Sequence, residues 1–266
     1  RWHQKNIFYK FIYNYWKFVE KKLLTNADHI ITLTPQTNLI INQITKKEMK
    51  NISVIPCCAD FNHFNLIEKK QKDNLRKDMN ILENSLVVSY LGSLGTVYLW
   101  EEMLSFYIRL NERYPNSNFL VITKNWDTKK QYLLEKKISG DILKKIIFKS
   151  AKRHEVPFLL GISDIMLSFR KNSFSQKACC PTKMGEAFAC GIPVIANKDV
   201  GDVNNIIKKL NGGEIVDLEN HKGIENLINN IQSIKDKGGN ELRKKSKNIL
   251  GLDKGIDQYR KVYERL

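Results

Sequence analysis

The sequence predicts an α/β fold with one complete, doubly wound parallel sheet, and three observations carry that expectation. Between residues 86 and 216, short apolar runs alternate with stretches of helical periodicity. The runs are apolar throughout rather than every second residue, as in strands covered on both faces. Small, hydroxyl-bearing and basic residues follow the ends of these runs, on the rim where an open parallel sheet holds its ligand.

The elements follow in order. Residues 4–24 carry Ile7/Phe8, Phe11/Ile12, Tyr15, Val19 and Leu23 at helical spacing with lysines between, and Asn26-Ala27-Asp28 ends the pattern. His29–Leu33 reads as a short strand. Pro35 stands where a helix carrying Leu39, Ile40 and Ile44 begins, and Ile52–Ile55 is a second strand closed by Pro56. The regular part then has strands at Leu86–Leu91, Phe119–Thr123, Ile146–Phe148, Asp164–Ser168, Pro193–Ala196 and Glu214–Val216. Helices are predicted at Trp100–Tyr114, 128–137, His154–Gly161, Thr182–Cys190, Asp202–Leu210 and Lys222–Ile234. Two polar helices, broken near Gly251 and Gly255, finish the chain. Six strands with crossover helices complete a Rossmann-like unit. The expected organisation is a remnant of a preceding domain at 1–56, the complete domain at 57–250, and a terminal crossover helix at 251–266.

Composition narrows the function classes. The chain has 266 residues, 42% hydrophobic and 27% charged, with a net charge of +16. No apolar run approaches the ~18 residues of a membrane span. The charge fits nucleic acid, an anionic membrane surface or phosphorylated small molecules, and equally a lysine-rich proteome. No helix-turn-helix, RNP or zinc pattern accompanies it, so no nucleic acid partner is expected. Cys57, Cys58, Cys179, Cys180 and Cys190 have neither zinc nor framework spacing and read as small buried hydrophobes in a reducing cytoplasm. The histidines (3, 29, 63, 154, 221) are scattered, and none is a credible base.

On the predicted rim stand Gly92-Ser93-Leu94-Gly95-Thr96, Lys124-Asn125-Trp126-Asp127, Lys149-Ser150-Ala151-Lys152-Arg153, the long stretch Phe169–Pro181 with Arg170 and Lys177, and Asn197–Asp202. Glycines after a strand serve either a tight turn or the approach of a phosphate to the backbone. The segment Cys180–Gly191 is more specific. Pro181 and Gly191 bracket a short helix whose free amides at Thr182–Met184 form an anion site reinforced by Lys183. Glu186, one turn along, is an acceptor suited to sugar hydroxyls, although a carboxylate near a helix N-terminus is favourable for dipole reasons alone.

Three segments resemble the group 1 (family 4) glycosyltransferases. Glu186-Ala-Phe-Ala-Cys-Gly191-Ile-Pro193-Val-Ile-Ala196 resembles the family's E-A-M-A-C-G-x-P-V-I-A. Val54-Ile-Pro-Cys-Cys-Ala-Asp60-Phe-Asn-His-Phe64 resembles V-I-P-N-G-V-D-x-x-x-F, and Val88–Ser93 the strand and turn that open the donor domain. The resemblance implies a GT-B fold of two Rossmann-like domains, of which this chain keeps the donor-binding one and the end of the acceptor-side one. It further implies a nucleoside-diphosphate sugar as donor, no cofactor and no metal, retention of configuration, and a hydroxyl acceptor. Glycan or glycolipid synthesis in the cytoplasm, at the inner membrane face if the acceptor is lipid-linked, follows at family level. By the same resemblance Glu186 binds the donor ribose. The first Glu of the family motif falls on Ala178 and the Arg after the glycine turn on Ser93, departures that weaken the diphosphate site. Arg170, Lys177 and Lys183 are candidate replacements. The donor-binding set is therefore Gly92, Ser93, Gly95, Lys124, Ser150, Arg170, Lys177, Thr182, Lys183 and Glu186. A GT-B sugar-nucleotide epimerase and a non-catalytic nucleotide-sugar-binding protein remain as alternatives.

Overall fold

A computed structural model describes residues 6–95, 97–124 and 138–266. Thr96, the rim residues 125–127 and the predicted helix 128–137 lie outside the described residues, as do residues 1–5.

The chain opens with α1 (Ile7–Asn26), β1 (Ile30–Thr32), α2 (Pro35–Thr45) and β2 (Ile52–Val54). Asn6 caps α1 by accepting from the Phe8 amide, and Thr34 caps α2 ahead of Pro35. β1 and β2 pair in parallel with each other and form a sheet of their own. After α3 (Lys69–Asp78) comes the main unit. Its strands are β3 (Val87–Leu91), β4 (Asn118–Ile122), β5 (Ile146–Lys149), β6 (Ile165–Ser168), β7 (Val194–Asn197) and β8 (Gly213–Val216). They form one six-stranded parallel sheet in the order β5-β4-β3-β6-β7-β8. This is the doubly wound order, with its switch point between β3 and β6. The predicted fold class is borne out.

The unbroken apolar runs follow from burial on both faces. Val87, Leu91, Leu120, Ile122 and Met166 face one core, while Val88, Tyr90, Phe119, Val121 and Ile165 face the other. The first core is closed by α6 (Val156–Gly161), α7 (Thr182–Ala189), α8 (Val203–Leu210) and α11 (Asn240–Leu250); the second by α4 (Trp100–Arg113), α9 (His221–Asn229) and α10 (Ile231–Lys235). The helix α5 (Gly140–Lys145) leads into β5, and α12 (Leu252–Tyr263) follows α11.

Two boundaries differ from expectation. The stretch Lys222–Ile234 divides at Asn230 into α9 and α10. Gly251 does separate the last two helices, but Gly255 lies inside α12, where a Cβ would come within 2.6 Å of Cys58 Sγ. The glycine is there for close approach, not as a breaker.

At the amino end of the sheet, Asp164 gathers an ion cluster. One carboxylate oxygen accepts from Arg76 Nη2 at 2.9 Å and from the Val87 amide at 2.8 Å; the other faces Lys72 Nζ at 3.2 Å and Lys235 Nζ at 3.8 Å. Arg76, itself buried, also donates to the carbonyls of Ile162 and Ser85. Burial pushes the Asp164 carboxyl up, but Lys72, Arg76, the Val87 amide and Lys235 together hold it below the usual carboxylate range.

A second arginine ties the segment after β2 to the sheet domain. Arg243 on α11 donates to the carbonyls of Phe61 at 2.6 Å and Phe64 at 2.7 Å, and also to that of Ala189 at the end of α7. These bonds hold Phe64, buried at 2% exposure, in the position from which it lines the site.

Candidate donor-binding site

A cleft opens at the carboxyl ends of β3, β4 and β6, at the switch point. One hollow of about 410 Å³ is lined by Phe64, Gly92, Ser93, Thr123, Lys124, Arg153, Lys183 and Glu186 among others. A second of about 370 Å³ lies against Tyr98, Arg170, Cys180, Pro181 and Thr182. The two share Leu91, Arg153, Lys183 and Glu186, so those residues stand at the junction.

The junction is built by α7. Pro181 occupies the cap position with φ −68° and ψ 111°, and Thr182 is the first helical residue, where the predicted span begins. The far end closes as expected: Gly191, at φ +72°, lets its own amide reach the Phe188 carbonyl and that of Ile192 the Ala187 carbonyl. The Met184 amide donates to the Pro181 carbonyl at 3.1 Å, so of the three expected amides those of Thr182 and Lys183 are left to an anion. Glu186 is only 4% exposed, and its carboxylate accepts from Lys183 Nζ at 3.1 and 3.4 Å. The pair places a cation and a buried acceptor side by side at the helix mouth.

The glycine turn works differently from the expectation. A Cβ on Gly92 would lie 2.8 Å from Tyr90 Oη, and that hydroxyl donates to the Ser93 carbonyl at 2.6 Å. The Gly92 amide donates to the Ile122 carbonyl at 3.0 Å. Gly92 therefore makes room for Tyr90 instead of offering its own amide to a ligand. Burial pushes the Tyr90 phenol above its ordinary range, which keeps it a donor. Gly95, at φ +129°, has open space around its Cβ position and lines neither hollow.

The remaining candidates separate. Arg170 lines the second hollow, its guanidinium 4.6 Å from the Tyr98 ring centroid and its Nε donating to Gln176 at 2.8 Å. Ser150 and Lys177 line neither hollow. The loop after β5 contributes Ala151 and Arg153 in place of Ser150. Lys177 is exposed, and its carbonyl accepts from Thr34 Oγ1 at 2.8 Å, a bond from α2 to the loop preceding α7.

Phe64, Thr123 and Arg153 line the first hollow although none stood in the donor-binding set expected from the sequence, Arg153 having been placed only on the rim. Thr123 is 4% exposed, yet its hydroxyl finds no hydrogen-bond partner among the described residues. An unmade buried hydrogen bond is costly, so Thr123→Val is expected to raise the unfolding free energy of the free protein by about 1 kcal/mol. Urea denaturation checks this; a loss of stability would mean that the hydroxyl is satisfied in solution.

A parallel sheet in this order, with an anion-suited cleft at its switch point and a smaller parallel sheet docked beside it, defines an α/β protein of GT-B type. The sequence profile of the group 1 glycosyl transferases matches residues 71–249, and the chain belongs to that family. No curated protein matches it in sequence. Among solved structures, HepE of Anabaena in complex with UDP-glucose superposes with a TM-score of 0.71 at 16% identity, over 94% of this chain and 67% of HepE. Sucrose-phosphate synthase from Thermosynechococcus elongatus gives 0.68 at 17% identity, over 94% of this chain and 61% of the synthase. WaaG, a glycosyltransferase involved in lipopolysaccharide biosynthesis, gives 0.68 at 15% identity, over 87% of this chain and 62% of WaaG. The chain thus spans less than two thirds of the length of the latter two.

Proposed function

We propose that the cleft binds the nucleoside-diphosphate part of a sugar donor, and that the protein to which this chain belongs transfers the sugar to a hydroxyl acceptor with retention of configuration. The observation that carries this reading is the Lys183–Glu186 pair at the mouth of α7, where the two hollows meet. In the reading, the Thr182 and Lys183 amides and the Lys183 ammonium meet the diphosphate, Glu186 accepts from the ribose hydroxyls, and the base enters the hollow beside Phe64, Thr123 and Arg153. Departure of the diphosphate leaves an oxocarbenium-like centre, so preorganised positive charge at the leaving group is the main task. Lys183, Arg153 and Arg170 supply that charge in place of a metal ion. HepE, of the same fold, is known in complex with UDP and with UDP-glucose, which favours uridine as the first base to try.

Calorimetry and thermal-shift measurements against UDP-, GDP- and ADP-sugars, with and without a chelator, test the proposal. One nucleoside diphosphate is expected to stabilise the chain, by the same amount with chelator present. Silence towards all three at millimolar concentration removes the donor reading. Conversion of the bound sugar nucleotide to its epimer without acceptor would replace transfer by epimerisation.

A lipid-linked acceptor fits the same reading. α1 holds no buried residue, and Phe8, Phe11, Trp16, Phe18 and Leu23 stand exposed on a helix that also carries Lys10, Lys17, Lys21 and Lys22. No helix among the described residues is long and apolar enough to cross a membrane. A helix of this kind lies in the interface of anionic lipid instead. The chain is expected to sediment with phosphatidylglycerol vesicles and to be released by salt. Equal binding to neutral vesicles, or none, leaves that face to be covered by protein.

A further inference from the structure

From Gly92 to Leu99 the sequence after β3 includes no basic side chain, and a cation reaches this part of the rim from elsewhere in the chain. Just after β6 the backbone runs antiparallel to residues 97–99. The Lys171 amide donates to the Val97 carbonyl at 2.8 Å, and the Leu99 amide to the Phe169 carbonyl at 3.1 Å. Tyr98 and Arg170 therefore face each other as a non-hydrogen-bonded antiparallel pair, the arrangement in which opposed side chains stand closest. The guanidinium accordingly lies 4.6 Å from the Tyr98 ring centroid. The same pairing turns the amide and carbonyl of Arg170 itself to the other side, where they need partners. Asn197, 5% exposed at the end of β7, supplies both. Its Oδ1 accepts from the Arg170 amide at 2.7 Å, and its Nδ2 donates to the Arg170 carbonyl at 2.9 Å. A carboxamide offers one acceptor and one donor, as a peptide unit does, so Asn197 stands in for a neighbouring strand.

The side chain is held as firmly as the backbone. Arg170 Nε donates at 2.8 Å to Gln176, which is buried in the short 3-10 turn Phe174–Ala178. One edge and one face of the guanidinium are thus occupied, and its two η nitrogens are left. Arg76, Arg109 and Arg260 each pair with a carboxylate. Among the described residues no carboxylate lies within ion-pair distance of Arg170. The guanidinium lines the second hollow and not the first, beyond the junction that Lys183 and Glu186 form.

Resting on the donor reading above, we propose that Asn197 is a positioning residue: it fixes Arg170 so that the two η nitrogens meet the terminal phosphate, and this clamp selects a nucleoside diphosphate over a monophosphate. With the base in the first hollow, the phosphate nearest to it reaches the junction. What extends past the junction into the second hollow is the terminal phosphate with its sugar. A guanidinium already fixed at its backbone, its Nε and its face gives up little freedom when that phosphate arrives, so more of the interaction appears as affinity. Asn197 touches no ligand in this account and acts through Arg170 alone.

Calorimetric titration of the whole chain with UDP and with UMP, in a cycle of variants, tests this. Arg170→Met is expected to weaken UDP roughly tenfold and UMP less than about twofold, because only UDP carries the phosphate that Arg170 meets. Asn197→Leu keeps the size of the side chain but removes both hydrogen bonds, and should weaken UDP roughly fivefold while leaving UMP nearly unchanged. In the double variant the Asn197→Leu loss should vanish, so that it binds UDP no more weakly than Arg170→Met does. Melting of the free proteins shows which variants are folded. Should Asn197→Leu fail to fold, Gln176→Met closes the same cycle, with a loss of roughly threefold that also vanishes beside Arg170→Met. UDP affinity indifferent to Arg170→Met, equal losses for UDP and UMP, or losses that add in the double variant would each overturn the proposal while leaving the donor reading intact. Failure of the unsubstituted protein to bind UDP is a separate result, which removes the donor reading and the clamp's ligand together.

Discussion

Asp164→Asn is expected to lower the unfolding free energy by about 3–5 kcal/mol at pH 7 and the melting temperature by on the order of 10 °C. The reason is asymmetry. The Asp164 carboxylate, whose side chain is 3% exposed, neutralises a guanidinium that is 6% exposed and two lysines that are partly so. Taking away this anion leaves Arg76 buried and, among the described residues, held by carbonyls alone. Burial draws the Lys72 ammonium below its ordinary range, against the pull of Asp164, so it too loses by the change. The pH dependence separates this account from a packing defect. The folded-state pKa of Asp164 lies below the unfolded value of about 3.9, so its contribution is complete above that value and is lost as pH falls through the folded pKa. The difference between the two proteins should therefore be full at pH 7 and shrink steadily below about pH 4. Urea denaturation followed by circular dichroism at several pH values measures it. A difference that persists unchanged in acid would assign the loss to shape instead of charge.

This cluster was invisible in the sequence, and the reason is physical. Asp164 and Arg76 are 88 residues apart, and nothing in periodicity marks which polar residue at a strand's start will meet an arginine on α3. The strands themselves were legible because burial on both faces leaves a compositional trace. The ends of α7 were legible because Pro181 and Gly191 perform local backbone tasks that few other residues perform. The cleft was harder. Its walls come from four separate loops, and which side chain of Lys149–Arg153 turns inward depends on how β5 ends, so Arg153 lines the hollow where Ser150 was expected. Gly92 shows a complementary limit. A glycine after a strand was read for a tight turn or for a ligand; it lines the first hollow, and its missing side chain also makes space for Tyr90 two residues earlier. Phe64 lines the site on a segment whose carbonyl is held by Arg243, 179 residues further along. Local signals reported local causes, and the long-range ones required coordinates.

Glu186→Ala is expected to weaken nucleoside-diphosphate binding by a factor of roughly thirty, and the size of that factor is set by two opposing effects. In the proposed pose the buried carboxylate accepts from two ribose hydroxyls, and hydrogen bonds to a charged group contribute roughly 1.5–3 kcal/mol each, so about 3 kcal/mol is lost at the lower end. Against this, Lys183 is released from its ion pair and becomes free to meet phosphate. That pair joins a buried acceptor to an ammonium whose side chain is 41% exposed, and a pair open to solvent on one side returns at most about 1 kcal/mol. The net of about 2 kcal/mol corresponds to the factor above. The same arithmetic gives a signature that a loss of fold would not. With Lys183 unpaired, the diphosphate meets a fuller positive charge, so the variant's remaining affinity should fall more steeply with salt than that of the unsubstituted protein. Lys183→Met should do the reverse, losing affinity and flattening the salt dependence together. Calorimetric titrations with UDP at two ionic strengths distinguish these outcomes, with melting of the free proteins as a control. Equal affinity for the unsubstituted protein and Glu186→Ala would take the carboxylate out of the site and leave it as the internal partner of Lys183 alone.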